Sequence, residues 1–162
     1  MPTRTYATDD LVVEWYAERC VHVARCLNAL PEVFDTRKRP WIQPEHASTE
    51  AIIDAVEQCP TGALRYRHAD GRPPRPVSET TVAFPVHNGP LVLRGRTQVL
   101  AQDGTTFTEE DRLALCRCGN SGNQPFCDNA HRRVAFEARP PTPTTAAESP
   151  DDRCPPQDEA FG

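Results

Sequence analysis

The stretch CRCGNSGNQPFCDNAH, residues 116–131, places three cysteines and one histidine in sixteen positions. Three asparagines, two glycines and a proline fill much of the remainder, so the segment is too short and too polar to pack a core. Cys116 and Cys118 are separated by one residue, and both thiolates can face one centre from a tight loop. Cys127 and His131 stand at i and i+4, and meet on one face if a helical turn starts at Cys127. Pro125 stiffens the approach to Cys127, and Ser121 offers a hydroxyl to a sulfur. Gly119 and Gly122 let backbone N–H groups come close to anionic sulfide. The pattern of ligands is C-x-C-x8-C-x3-H.

Composition narrows what this segment serves. The chain of 162 residues has room for one ordinary domain or two small ones, and small domains usually add a metal, a disulfide or a partner subunit to a marginal core. Seven cysteines in a chain whose beginning, MPTRTYATDD, lacks the apolar middle of an export signal point to a reducing cytoplasm. There, closely spaced cysteines bind metal more often than they form disulfides. The odd count fits two metal sites and one leftover thiol. A net charge of −5 implies no basic face for nucleic acid, and no apolar run approaches the roughly 20 residues of a membrane span.

Along the chain, an N-terminal segment (1–66) is followed by a proline-rich break (67–79), a second segment (80–138) and a tail (139–162). The break reads as extended, exposed chain that leaves its two neighbours independent. The tail has six prolines and an acidic bias, cannot bury enough surface to offset its ordering entropy, and is expected to be disordered. Its Cys154 reads as a free thiol. In the first segment LVVEWYAERC is expected to be a strand ending at Cys20, ARCLNALP a short helix, and STEAIIDAVEQC a helix capped by Ser48 or Thr49. That helix buries Ile52, Ile53 and Val56 and brings Cys59 to its end. The second segment reads as hairpins: TVAFPV, the turn Asn88-Gly89, LVLRG, TQVLA, the turn Asp103-Gly104, then RLALC. A final strand, RVAFEA, is expected to close the sheet around the ligand loop. The fold class is α+β, a small α+β domain followed by a small β-rich one.

The 116–131 stretch resembles the CDGSH iron-sulfur family, whose pattern Cys-x-Cys-x2-Ser/Thr-x3-Pro-x-Cys-Asp-Gly-x2-His is met by Cys116, Cys118, Ser121, Pro125, Cys127, Asp128 and His131. The resemblance implies a 2Fe-2S cluster held by Cys116, Cys118, Cys127 and His131. Asn129 stands where the family has glycine. A left-handed backbone is expected there, which Asn is among the few other residues to tolerate. A zinc ion on the same four residues is the lesser alternative, since three Cys and one His also make a structural zinc site. A C-x-C pair, however, strains one tetrahedral ion more than two irons bridged by sulfide.

Residues 6–66, with Cys20, Cys26, RPWI (39–42) and CPTGAL (59–64), are similar to the divergent single-cluster ferredoxin domain often fused to CDGSH modules. By that resemblance Cys20, Cys26 and Cys59 bind a second cluster in a ferredoxin-like domain. Laid over the ferredoxin spacing C-x2-C-x2-C, Cys20 and Cys26 leave Val23 at the middle position, so one ligand is missing. Three thiolates suit a 3Fe-4S cluster; a 4Fe-4S cluster needs a fourth ligand such as His22, water or a small thiol. His46, His68 and His87 have no ligand-like spacing.

No GxSxG, P-loop or GxGxxG motif is present, and the Cys–His pairs are accounted for by cluster ligation, so an enzyme is not expected. The expected function is electron transfer to or from an unidentified redox partner, with no nucleic acid or membrane involved. The alternative is a cluster donor to an acceptor protein, or a redox or pH sensor. The imidazole ligand, with an ordinary pKa of about 6.5, favours a raised potential and acid lability. A homodimer, as many CDGSH modules form, is a further expectation of the resemblance.

Overall fold

The computed structural model describes residues 3–139; the tail from 140 onward, with Cys154, lies outside the described residues. Within them the fold is α+β, with two three-stranded antiparallel sheets ordered β1-β2-β3 and β4-β5-β6.

In the first sheet β2 (Leu11–Trp15) is central, between β1 (Arg4–Ala7) and β3 (Leu64–His68). Leu11, Val12 and Val13 are all buried, as the apolar run requires. The strand was expected to reach Cys20, and it stops at Trp15. Its partner β3 begins at Leu64, opposite Trp15, and the pairing is carried only one residue further, by the Tyr16 N–H to the Ala63 carbonyl at 2.8 Å. The Arg19 and Cys20 N–H groups turn back to the carbonyls of Tyr16 and Ala17, at 3.2 and 3.0 Å, in a 3-10 turn. The short helix α1 (Arg25–Ala29) and the longer α2 (Thr49–Glu57) follow the expected spans. Ser48 is the N-cap, its hydroxyl accepting the Ala51 N–H at 3.4 Å. Ile52, Ile53 and Val56 of α2 meet Leu11, Val13, Phe34 and Ile42 in the core.

The second sheet holds β4 (Val82–Pro85), β5 (Leu91–Leu100) and β6 (Thr106–Leu115). LVLRG and TQVLA are one strand, not two, because the register shift between Arg94 and Thr97 absorbs Gly95 as a bulge. Gly95 sits at φ 113°, and a Cβ there would lie 2.4 Å from the Thr80 carbonyl oxygen. Gly95→Ala is therefore expected to destabilise the protein by about 2 kcal/mol through backbone strain, measured as a lowered thermal midpoint. The expected turns occur at Asn88-Gly89 and Asp103-Gly104, with Asn88 at φ 46° and Gly104 at φ 82°.

The final strand expected at RVAFEA is absent. Ala130–Arg133 form a helical turn, α3, and Ala135 takes φ 48°, which interrupts any extended run. The Phe136 N–H returns to the His131 carbonyl at 2.9 Å, and the Arg117 guanidinium lies 5.8 Å from the Phe136 ring centre. Phe126 instead bridges to Leu115 beside the ligand loop.

The two sheets are in contact. Arg112 of β6, buried, donates to the carbonyls of Val56 at 2.7 Å and Leu64 at 3.2 Å. Glu110 is also buried and forms ion pairs with Arg19, at 2.6 Å, and with Arg65. Val21, next to Cys20, packs with Val92, Ala114 and Cys127 in a second small core. Even the proline-rich stretch is anchored, since Arg75 reaches Glu50, Asp54 and Glu57 of α2 at 2.7, 2.6 and 3.1 Å.

Candidate metal centres

The loop at 116–131 leaves β6 at Leu115 and ends in α3. Its ligand candidates come together as two pairs. The Cys116 and Cys118 sulfurs are 3.6 Å apart, and the Cys127 sulfur is 3.4 Å from His131 Nδ1. Among the described residues no three His, Cys, Asp or Glu side chains are gathered as one metal ion requires. Two pairs of soft and borderline donors on one loop could hold a two-iron cluster or, drawn closer together, a single ion.

Backbone donors face the sulfurs. The Asn120 N–H points to Cys118 at 3.5 Å and the Asn129 N–H to Cys127 at 3.3 Å. Burial works against the Cys116 thiolate, but the Ser121 N–H, the Cys118 thiol and the N–H groups of Gly119 and Cys118 outweigh it and hold its pKa below the ordinary thiol value. Cys127 moves the other way, raised mainly by burial. Burial, helped by the charge of Arg132 and opposed by Asp128, lowers the His131 pKa and favours the neutral ring that binds metal.

Two loop residues differ from expectation. The Ser121 hydroxyl serves no sulfur; it donates to the Phe126 carbonyl at 2.6 Å and accepts from the Asn123 N–H at 3.1 Å. The Gly122 N–H goes to Asp128 at 2.9 Å, because that carboxylate, which also accepts the Ala130 N–H at 2.8 Å, is the stronger acceptor. Asp128 thereby ties the two halves of the loop, and these N–H groups lower its pKa. Asn129 does adopt the left-handed backbone, at φ 74°.

The other three cysteines surround one cavity of about 410 Å³. Cys20 follows the 3-10 turn after β2, Cys26 lies in α1, and Cys59 comes two residues after α2. The cavity wall includes Trp15, Trp41, His22 and Thr61. Burial, with Cys59 and Cys20 adding repulsion, pushes the Cys26 thiol up to about 11; burial also raises Cys20, against an N–H hydrogen bond from His22 and the Trp15 side chain. His22 Nδ1 is 3.8 Å from the Cys20 sulfur, and the Thr61 hydroxyl is 3.6 Å from that of Cys59. The buried indole N–H of Trp41 has no hydrogen-bond partner among the described residues, while that of Trp15 faces the Cys20 sulfur. Three soft thiols and indole donors around one cavity fit an anionic iron-sulfide group. Sequence reasoning overlooked Trp15, Trp41 and Thr61; the tryptophans' place beside the cysteines depends on the Trp15–Trp41 edge contact, 5.2 Å between ring centres.

Residues 6–69 match the family model described as a divergent 4Fe-4S mono-cluster, and residues 88–132 match the one described as an iron-binding zinc finger of CDGSH type. The chain is also 29% identical over 65 residues to the uncharacterized protein YjdI of Escherichia coli (strain K12), a stretch covering 40% of this chain and 86% of that protein. YjdI of Escherichia coli O157:H7 is similar to the same extent, 29% over 65 residues.

Proposed function

This chain joins a divergent 4Fe-4S mono-cluster domain to a CDGSH-type iron-binding domain, and from that premise we propose that this iron-sulfur protein is a small electron carrier with two centres. The observation that carries the reading is the pairing of ligands at 116–131, Cys116 with Cys118 and Cys127 with His131 Nδ1. In this reading the four residues hold a 2Fe-2S cluster. Cys20, Cys26 and Cys59 hold a second one, either 3Fe-4S or, with a fourth ligand such as His22, water or a small thiol, 4Fe-4S. Bound clusters supply one-electron chemistry; the chain supplies thiolates, N–H donors to sulfur, and apolar cover.

The Cys–His neighbours among the described residues, Cys20 with His22 and Cys127 with His131, fall within the two candidate sites. That supports a carrier over an enzyme that needs a nucleophile and a free base. Among the described residues no helix is long and apolar enough to cross a membrane. The reading places the protein in the cytoplasm, where closely spaced cysteines bind metal more often than they form disulfides, with a redox protein or a cluster acceptor as partner.

Electron paramagnetic resonance, with iron and acid-labile sulfide counted on the same sample, tests the reading. A signal before reduction identifies 3Fe-4S at the first site. Signals appearing only after reduction identify 2Fe-2S together with 4Fe-4S, and in that case a 4Fe-4S signal altered in His22→Ala identifies His22 as its fourth ligand, and an unaltered one identifies water or a small thiol. Colourless protein without labile sulfide would refute the proposal. Faster transfer of cluster to an apo-acceptor than exchange of electrons would replace the carrier by a donor.

A further inference from the structure

The β5–β6 ladder sets Arg94 directly opposite Arg112. Like charges in facing positions destabilise a sheet, and burial sharpens the cost because water cannot screen them. Arg112 is well supported: Val56 and Leu64 accept from its guanidinium, and the Asp111 carboxylate lies 3.3 Å from its Nε. Arg94, half-buried, has no carboxylate within ion-pair distance among the described residues. Alternation along β5 puts Arg94 on the same face as Val92, which packs on Val21 beside Cys20, and its facing partner Arg112 reaches the segment that carries Cys59, so Arg94 stands on the side of the second sheet that meets the N-terminal cysteines.

Arg112 reaches the same cysteine through the backbone. The Val56 carbonyl accepts both the Arg112 guanidinium, at 2.7 Å, and the Cys59 N–H, at 3.1 Å. The chain just beyond Cys59 packs closely on the same strand, since a Cβ on Gly62 would lie 3.3 Å from the Arg112 carbonyl oxygen. A guanidinium from the second sheet therefore shares the carbonyl that holds the third thiol of the first site.

We propose that Arg94 and Arg112, though carried by the C-terminal sheet, serve the N-terminal centre: Arg112 positions Cys59 through the shared Val56 carbonyl, and Arg94 is the counter-charge to the anionic sulfur bound there. This rests on the reading that Cys59 is a ligand. It accounts for two arginines facing each other, because a bound negative group offsets the charge that no carboxylate offsets at Arg94. Positive charge close to an iron-sulfur centre stabilises its more negative, reduced form, so it raises the midpoint potential.

The test is a redox titration of the full chain, following both centres by their spectra. Arg94→Gln should move the N-terminal centre to a more negative potential, with a smaller displacement of the C-terminal one, and Arg94→Lys should restore the original value. Arg112→Gln should speed loss of iron from the N-terminal site to a chelator several-fold while the C-terminal centre persists. An Arg94→Gln protein that keeps both spectra and shows no shift, or an equal shift at both centres, would overturn the proposal. Cys59→Ser separates this from the reading beneath it: an N-terminal signal unchanged in that variant would remove Cys59 as a ligand.

Discussion

His131→Cys is expected to keep a two-iron centre in residues 116–131 and to lower its midpoint potential by on the order of a few hundred millivolts. Imidazole is neutral where a thiolate carries a negative charge. Exchanging them adds one negative charge at the metal and favours the oxidised state, the same difference that separates His-ligated from all-cysteine 2Fe-2S centres. The geometry permits the exchange, since Nδ1 lies 3.4 Å from the Cys127 sulfur at the start of a helical turn that a cysteine can also occupy. The variant should also release its iron more slowly in mild acid. A proton competes with metal for Nδ1 as pH falls through the imidazole pKa, which burial already places below its ordinary value. A potentiometric and acid titration in which neither quantity changes would argue against His131 as a ligand.

Glu110→Gln is expected to cost about 3 kcal/mol of folding stability, the low end of what removing one partner from a buried ion pair costs. Glu110 is buried and faces both Arg19 and Arg65, so the variant leaves two neighbouring cations without their shared anion. The cost stays near the low end because both arginines keep some contact with water, with side chains 30% and 31% exposed. Arg65 already has a lowered pKa, chiefly through burial and then through Arg19, so the two cations repel across this junction. Thermal unfolding should be compared at matched iron content, because bound metal adds its own stability. A loss below about 0.5 kcal/mol would mean that Glu110 behaves as an ordinary surface pair.

The Glu110 variant bears on how far each half stands alone. The proline-rich stretch at 67–79 suggests two independent pieces. Yet Val21 from the first covers Cys127 of the second, and Arg112 of the second holds carbonyls on either side of Cys59. Compositional breaks report where the chain is exposed and extended; they carry no information on which buried faces meet.

The features readable from residue order are those set by neighbours a few positions apart. The Ser48 cap, the buried stripe of α2, the glycine and asparagine turns, the left-handed Asn129 and the clustering of ligand types in 116–131 all follow from local backbone sterics and short-range hydrogen bonding. Where such reasoning failed, a partner farther along the chain took part in the outcome. β2 ends at Trp15 where β3 begins opposite it, and in place of the RVAFEA strand a turn sets the Phe136 ring beside the Arg117 guanidinium. The collection of Cys20, Cys26 and Cys59 around one cavity, the pairing of Glu110 with Arg19, and the reach of Arg112 to Val56 belong to the folded protein alone. They join residues up to 91 positions apart, and at that separation contact is decided by which buried groups need a counter-charge or a hydrogen bond, a need that no spacing rule along the chain expresses.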